Sequence, residues 1–303
     1  MTVLVTGGCG FIGSNLVRRL AARGVRLRLL DNLSVGTRDT LPPRSGVDLI
    51  VGDIRDGAVV ARAVEGVEAV VHLAASTGVS DSVSDPASDF DANVVGTFNL
   101  LRASVAASVR RFVFASSNAA IGEHPPPVDE LRVPRPISPY GAGKLAGEGY
   151  CAAFAAAYGL QTFVLRFSNV YGPGSTHKTS VVARFIREGL QKGAVTVYGD
   201  GRQTRDFLYV EDLCSAVEAA LAATGSGEVF QIASGTETTV LTLVATLKAV
   251  AARDFDVVFA PARAGDIARN VSDISKATRL LGYRPVVPLE DGLRRTCDWF
   301  LRR

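Results

Sequence analysis

Residues 3–20 read VLVTGGCGFIGSNLVRRL, an apolar run that meets glycines at positions 7, 10 and 13 and then passes into helix-forming sequence. That is a strand, a tight turn and a helix in succession. Glycine permits the turn and lets a pyrophosphate approach the backbone, where its charge meets free amides at the helix N-terminus. Gly7, Gly10 and Gly13, with Phe11 and Ile12 of the same loop, are therefore candidate dinucleotide contacts.

Outward from this loop the pattern repeats. Short β-branched or leucine-rich runs, TVLVTG, VRLRLLD, VDLIVGD, AVVHLAA, RFVFASS, QTFVLRFSN and VFQIAS, alternate with helical stretches. Strands that are apolar on both faces belong to a parallel sheet covered by helices on both sides. The expected fold is α/β, a Rossmann-type doubly wound parallel sheet with a smaller C-terminal α/β substrate lobe. Past Asn169 come the loop YGPGSTHKTS, the helix SVVARFIREGL and the hairpin-like VTVYGDGRQTRDF, which read as that lobe at the sheet's C-terminal edge, where open α/β folds bind ligands. The expected division is a cofactor domain of residues 1–168 plus about 204–235, and a substrate lobe of residues 169–203 plus 236–303.

Composition narrows the function classes. The chain has 303 residues, 47% hydrophobic and 21% charged, enough for one large core. Its formal charge of +3 is spread over 33 basic and 30 acidic side chains with no basic block, so no nucleic-acid or membrane partner is expected and the ligands should be small molecules. Cys9, Cys151, Cys214 and Cys297 lack CxxC spacing and there are only three histidines, so neither a disulfide framework nor a metal site is favoured. No basic-then-apolar leader and no run of about 18 apolar residues is present, which points to a cytoplasmic protein.

The second strand ends at Asp31 and Asn32, where a carboxylate can accept hydrogen bonds from an adenosine ribose and would repel a 2′-phosphate. NAD is thus favoured over NADP, although a turn role for Asp31 would leave the same pattern. Asp53 and Ile54, closing the third strand, can pair with the adenine amine and cover its ring. Downstream, SPYGAGKLAGE sets Tyr140 and Lys144 one helical turn apart, and an ammonium there is expected to lower the phenol's pKa and make it a usable base. Before it, RFVFASS ends in the serine pair Ser116 and Ser117.

Taken together, TGGCGFIG, the Asp31 strand end, HLAA at 72–75, Asn93 in NVVGT, Ser117, and Tyr140 with Lys144 resemble an extended short-chain dehydrogenase/reductase. Over essentially its full length the chain is similar to the NAD-dependent sugar-nucleotide epimerases and dehydratases, most of all UDP-hexose 4-epimerases. The resemblance implies Tyr140 as general base, Lys144 on the nicotinamide ribose, and Ser117 on the reacting hydroxyl. It implies Leu73, Ala74 and Ala75 along the adenosine half of the cofactor, Asn93 in support, and Ser116 at the cofactor end. Where relatives carry a lysine after HLAA, this chain has Thr77.

For the substrate, the resemblance places Asn169 near the diphosphate, the Val182 backbone on the nucleotide and Tyr198 stacked on uracil. Arg205 and Arg263 then serve the phosphates and Asp266 the ribose; two planar guanidinium forks on one diphosphate make good physical sense. Asn118 and Asn270 face the sugar, and Asn270, where epimerases often carry tyrosine, leaves room for a C2 substituent. His177 and Lys178 could meet a uronate carboxylate, or simply be solvated. Ile121 and Phe207 stand where relatives usually have tyrosine.

Members of this group diverge at the two positions after the serine, where dehydratases hold an acidic pair and decarboxylases a glutamate. Here they are Asn118 and Ala119, neither of which moves a proton at neutral pH. The implied reaction is 4-epimerisation of a UDP-hexose, glucose or galactose with N-acetylated or uronic acid forms left open, through a 4-keto sugar. A 4-ketoreductase or 4,6-dehydratase is the alternative, and a non-catalytic dinucleotide sensor the remote one. The helix after Asn93 and the helix from Tyr140 to Tyr158 carry small or apolar residues on more than one face, and relatives use these two to form a homodimer.

Overall fold

The computed structural model describes residues 1–41, 47–177, 179–262 and 267–302. Its strands are β1 Thr2–Thr6, β2 Arg26–Asp31, β3 Asp48–Val51, β4 Ala69–His72, β5 Arg111–Ser117, β6 Gln161–Phe167, β7 Asn169–Tyr171, β8 Ala194–Tyr198, β9 Thr204–Tyr209, β10 Glu228–Ile232, β11 Glu237–Thr239 and β12 Asp256–Ala260. The helices are α1 Phe11–Ala22, α2 Gly57–Val64, α3 Val79–Ser84, α4 Pro86–Phe90, α5 Gly96–Ala106, α6 Pro139–Tyr158, α7 Val181–Lys192, α8 Val210–Ala222, α9 Val240–Ala251, α10 Ser275–Leu281 and α11 Leu289–Leu301.

The seven apolar runs pair into one parallel sheet of order β10-β6-β5-β4-β1-β2-β3. Alternation along each strand divides its side chains between two cores. Val3, Val5, Leu29, Val71, Val113 and Leu165 meet α1 and α8, whereas Leu4, Leu30, Val70, Phe112, Phe114 and Val164 meet α2, α5 and α6. Each such side chain, once out of water, stabilises the fold by roughly 1.5–3 kcal/mol. The order reverses between β1 and β4, and the crevice at the C-terminal ends of those strands is where such sheets take ligands.

A third core, with Tyr171, Phe185, Ile186, Val197, Phe207 and Leu243, builds the smaller lobe. The hairpin expected from VTVYGDGRQTRDF does not form. β8 instead pairs in parallel with β12, and β9 lies between β7 and β11. The residues between them are held by the start of α9, whose Val240 and Leu241 amides donate to the carbonyls of Gln203 and Gly201, both at 3.1 Å. The chain does return to the main sheet, through α8 and β10.

Local chemistry sets the helix that matters most. Ser138 caps α6 by accepting the Gly141 amide at 3.1 Å, Pro139 occupies its first turn, and Gly159 closes it at φ 69°. All four cysteines are free and buried. Among the described residues, no helix is long and apolar enough to cross a membrane.

Candidate active site

A cleft of about 1370 Å³ runs along the C-terminal ends of the main sheet and beneath the smaller lobe. It gathers residues that lie far apart in sequence. Gly7, Gly10, Phe11, Ile12 and Gly13 line one end with Asp31, Asn32, Asp53, Ile54, Leu73, Ala74 and Ala75; Ser117, Asn118, Tyr140, Asn169, Arg205 and Asn270 line the other.

At the first end the glycine loop is a cradle with no room for side chains. Gly7 has φ +69°, and a Cβ there would stand 2.8 Å from the Ala74 nitrogen; a Cβ on Gly13 would lie 2.1 Å from the Gly7 carbonyl oxygen. The N-terminus of α1 carries neither a capping side chain nor an acidic residue in its first turn, so its amides face the cleft with the positive end of the helix dipole. Asp31 is 8% exposed and accepts the amides of Cys9 at 2.9 Å and Leu33 at 2.8 Å, which pins the β2 end against the loop. Asn32 donates to Asp53 at 3.0 Å, and Arg55 grips the same carboxylate with bonds of 2.9 and 2.8 Å, holding its pKa well below the usual carboxylate range. These groups fit a dinucleotide: a bare helix end for the pyrophosphate and a carboxylate at the strand end for a ribose.

At the second end, Ser117 and Tyr140 line the cleft together, the serine hydroxyl close enough to the phenol to favour its ionised form. Lys144 is 3% exposed, its Nζ lying 5.1 Å from the Phe114 ring centre and 5.9 Å from that of Tyr140. The expected depression of the phenol's pKa is not what this geometry produces. Burial pushes Tyr140 up to about 12, the Ser117 hydroxyl opposing and the nearby Asp89 charge adding to the rise.

Several expected residues stand behind the cleft instead of lining it. Asn93 lies on a π-helical turn at Asp91–Val95. Its carboxamide accepts the Ser76 amide at 3.0 Å, donates to the Ser76 carbonyl at 3.0 Å and donates to Asp89 at 2.9 Å, bracing the cleft wall after β4. Ser116 points away from the cofactor end, being 2% exposed and donating to Glu148, which Arg166 holds through bonds of 2.9 and 2.6 Å. Strand alternation is the reason, since adjacent side chains leave opposite faces and Ser117 takes the cleft side. Val182 packs in the small-lobe core at 2% exposure. The Tyr198 ring lies 5.1 Å from the Arg184 guanidinium. Arg263, Asp266 and Lys178 fall outside the described residues.

The cleft also contains groups the sequence reading passed over. Arg184 and Trp299 line it, the latter from α11. Arg205 donates to the carbonyls of Thr204 and Ile267, both at 2.7 Å. Four buried polar atoms facing this region, Asn118 Oδ1, Ser168 Oγ, Ser180 Oγ and Asn270 Oδ1, have no hydrogen-bond partner among the described residues. Such atoms cost free energy unless a ligand satisfies them.

Residues 3–233 match the model of the NAD dependent epimerase/dehydratase family. The chain belongs to that family. It is 36% identical over 308 residues to the UDP-glucose 4-epimerase of Mycolicibacterium smegmatis, covering 99% of this chain and 98% of the relative. Among solved structures it is similar to the UDP-glucose 4-epimerase of Thermotoga maritima with UDP-glucose, at 38% identity and a TM-score of 0.95, covering 100% of this chain and 99% of the other. It is similar also to the UDP-N-acetylglucosamine 4-epimerase of Methanobrevibacter ruminantium in complex with UDP-N-acetylmuramic acid, at 32% identity and a TM-score of 0.95, covering 99% and 98%.

Proposed function

We propose that this protein is an NAD-dependent 4-epimerase of UDP-hexoses. The observation that carries the reading is the composition of the cleft beside Ser117 and Tyr140. The two residues after the serine, Asn118 and Ala119, both line it and neither exchanges a proton near neutral pH. An oxidised sugar held there has no carboxyl group at those positions to drive loss of water or carbon dioxide.

Bound in this cleft, NAD supplies a hydride acceptor for C4 of the sugar, a hydride donor for the return step and a positively charged ring in its oxidised form. Tyr140 takes the proton of the 4-hydroxyl and later returns it. A phenol near 12 is almost wholly protonated at neutral pH, so positive charge close to it, which favours the phenolate, is what makes this role effective. Ser117, beside the phenol in the cleft, orients the reacting hydroxyl, and Lys144 supplies buried positive charge beneath the ring. Arg205 and Asn169 hold the diphosphate while the sugar turns over, with Tyr198 beside the base. Arg263 and Asp266 complete the phosphate and ribose contacts in this reading.

The reading extends to assembly and location. Phe98, Tyr150, Phe154 and Tyr158 form an aromatic cluster across α5 and α6, with Tyr150 40% and Tyr158 61% exposed. A second copy of the chain covers this face in a homodimer, and sedimentation at micromolar protein tests it. A UDP-sugar and a dinucleotide as ligands fit a cytoplasmic enzyme.

The test is a panel of UDP-hexoses incubated with the protein and catalytic NAD, with products separated by stereochemistry. C4 epimers should form in both directions; a 6-deoxy-4-keto product would favour the dehydratase reading, and no conversion of any member would reject epimerisation.

A further inference from the structure

We propose that Ser272 is a positioning residue that latches the smaller lobe to the sugar end of the cleft through Asn118; the proposal rests on the epimerase reading. Asn118 follows Ser117 directly at the end of β5, and its Nδ2 donates to Ser272 Oγ at 2.9 Å across 154 residues of chain. Ser272 is 3% exposed. Its segment is anchored from two sides: Val128 donates to the Val271 carbonyl and Asp273 to the Val128 carbonyl, both at 2.9 Å, and the Ser272 amide donates to Asp206 at 3.3 Å. Asp206, fully buried next to Arg205, also takes the Ser234 amide at 2.8 Å, the Ser234 hydroxyl at 2.7 Å and the Gly235 amide at 3.0 Å.

One connected chain therefore runs from the arginine of the diphosphate end, through Asp206 and Ser272, to the carboxamide beside the sugar. With Nδ2 engaged, Asn118 Oδ1 is left buried at the cleft without a partner among the described residues. That oxygen is a fixed acceptor for a sugar hydroxyl. The same short turn meets the Tyr140 helix closely, since a Cβ on Gly141 would lie 2.3 Å from the Ala119 carbonyl oxygen. A shift of Asn118 thus reaches both the sugar and the base.

An epimerase must keep its 4-keto sugar until the hydride returns. If the latch loosens, some keto sugar leaves early, and each loss leaves one sugar oxidised and one NAD reduced to NADH. The experiment compares wild type with Ser272→Ala, Ser272→Thr, Asn118→Ala and the Asn118→Ala/Ser272→Ala double variant. It reads kcat and KM for a UDP-hexose, absorbance of reduced cofactor during turnover, and calorimetric affinity for UDP and for the UDP-hexose. Ser272→Ala should lower kcat about tenfold, as a misplacement well below 1 Å does. It should accumulate NADH and weaken UDP-hexose binding while leaving UDP binding unchanged; Ser272→Thr, which keeps the hydroxyl, should restore these values. The double variant should match Asn118→Ala. Wild-type kcat without NADH release in Ser272→Ala, multiplicative effects in the double variant, or equal loss of UDP and UDP-hexose affinity would each overturn the proposal. Absence of wild-type conversion would reject the epimerase reading instead, and the calorimetric comparison would still read the latch.

Discussion

Replacing Glu148 by glutamine strands the Arg166 guanidinium, which is 4% exposed and, among the described residues, has the 5% exposed Glu148 as its ion-pair partner. Removing one member of a buried pair costs about 3–5 kcal/mol, because the remaining charge cannot recover its hydration. Glutamine keeps one acceptor, so the lower end of that range, about 3 kcal/mol, is expected for Glu148→Gln. Arg166→Met takes the guanidinium from the buried carboxylate and should cost about as much. The double variant removes both charges of the pair and roughly conserves volume, so its loss should be below about 2 kcal/mol. The coupling in this cycle is then about 4 kcal/mol, far outside the roughly 0.5 kcal/mol scatter of independent sites. Urea unfolding followed by fluorescence and circular dichroism, with unchanged m values, provides the measurement. Additive losses, or a single variant costing less than about 1 kcal/mol, would refute the reasoning that this pair is desolvated and mutually dependent.

Three further outcomes are expected. Tyr140→Phe should abolish conversion of UDP-hexoses while NAD binding, measured by titration, persists; unchanged turnover would remove the phenol from the chemistry. Burial, helped by the Lys144 charge, lowers the His72 pKa from 6.5 to about 3. The folded state therefore refuses a proton that the unfolded state accepts, and stability is full above pH 6.5 but falls as pH drops toward about 3, at up to about 1.4 kcal/mol per unit. In His72→Gln that slope should flatten in urea titrations at several pH values. Asn270→Tyr should exclude UDP-N-acetylglucosamine while retaining UDP-glucose, and equal exclusion by wild type would show that position 270 does not govern the C2 substituent.

The main sheet was legible because its strands are apolar on both faces, a pattern that only burial between helices explains. Most of the cofactor end followed, since its residues sit at strand ends next to glycine turns and lie close in sequence. Pairings across long separations left no local mark: β8 with β12, Asn118 with Ser272, and Glu148 with Arg166 each join segments whose own sequences read ordinarily. The direction of Ser116 was recoverable from strand alternation, given that Ser117 faces the cleft. The elevated Tyr140 phenol was not, because i, i+4 spacing makes two side chains neighbours on a helix but does not report how deeply the phenol is buried. Arg184 and Trp299 reach the cleft only through the packing of α7 and α11 on the lobe core.

The central claim is that the hydride taken from C4 goes back to the same sugar. The most direct measurement uses UDP-hexose carrying deuterium at C4, incubated with the protein and catalytic NAD, with the epimer isolated and its label located by mass spectrometry and NMR. The account predicts that the label stays at C4 of the epimerised product, with no net formation of NADH. Loss of the label from C4, or its appearance in the free cofactor pool with stoichiometric consumption of NAD, would contradict it.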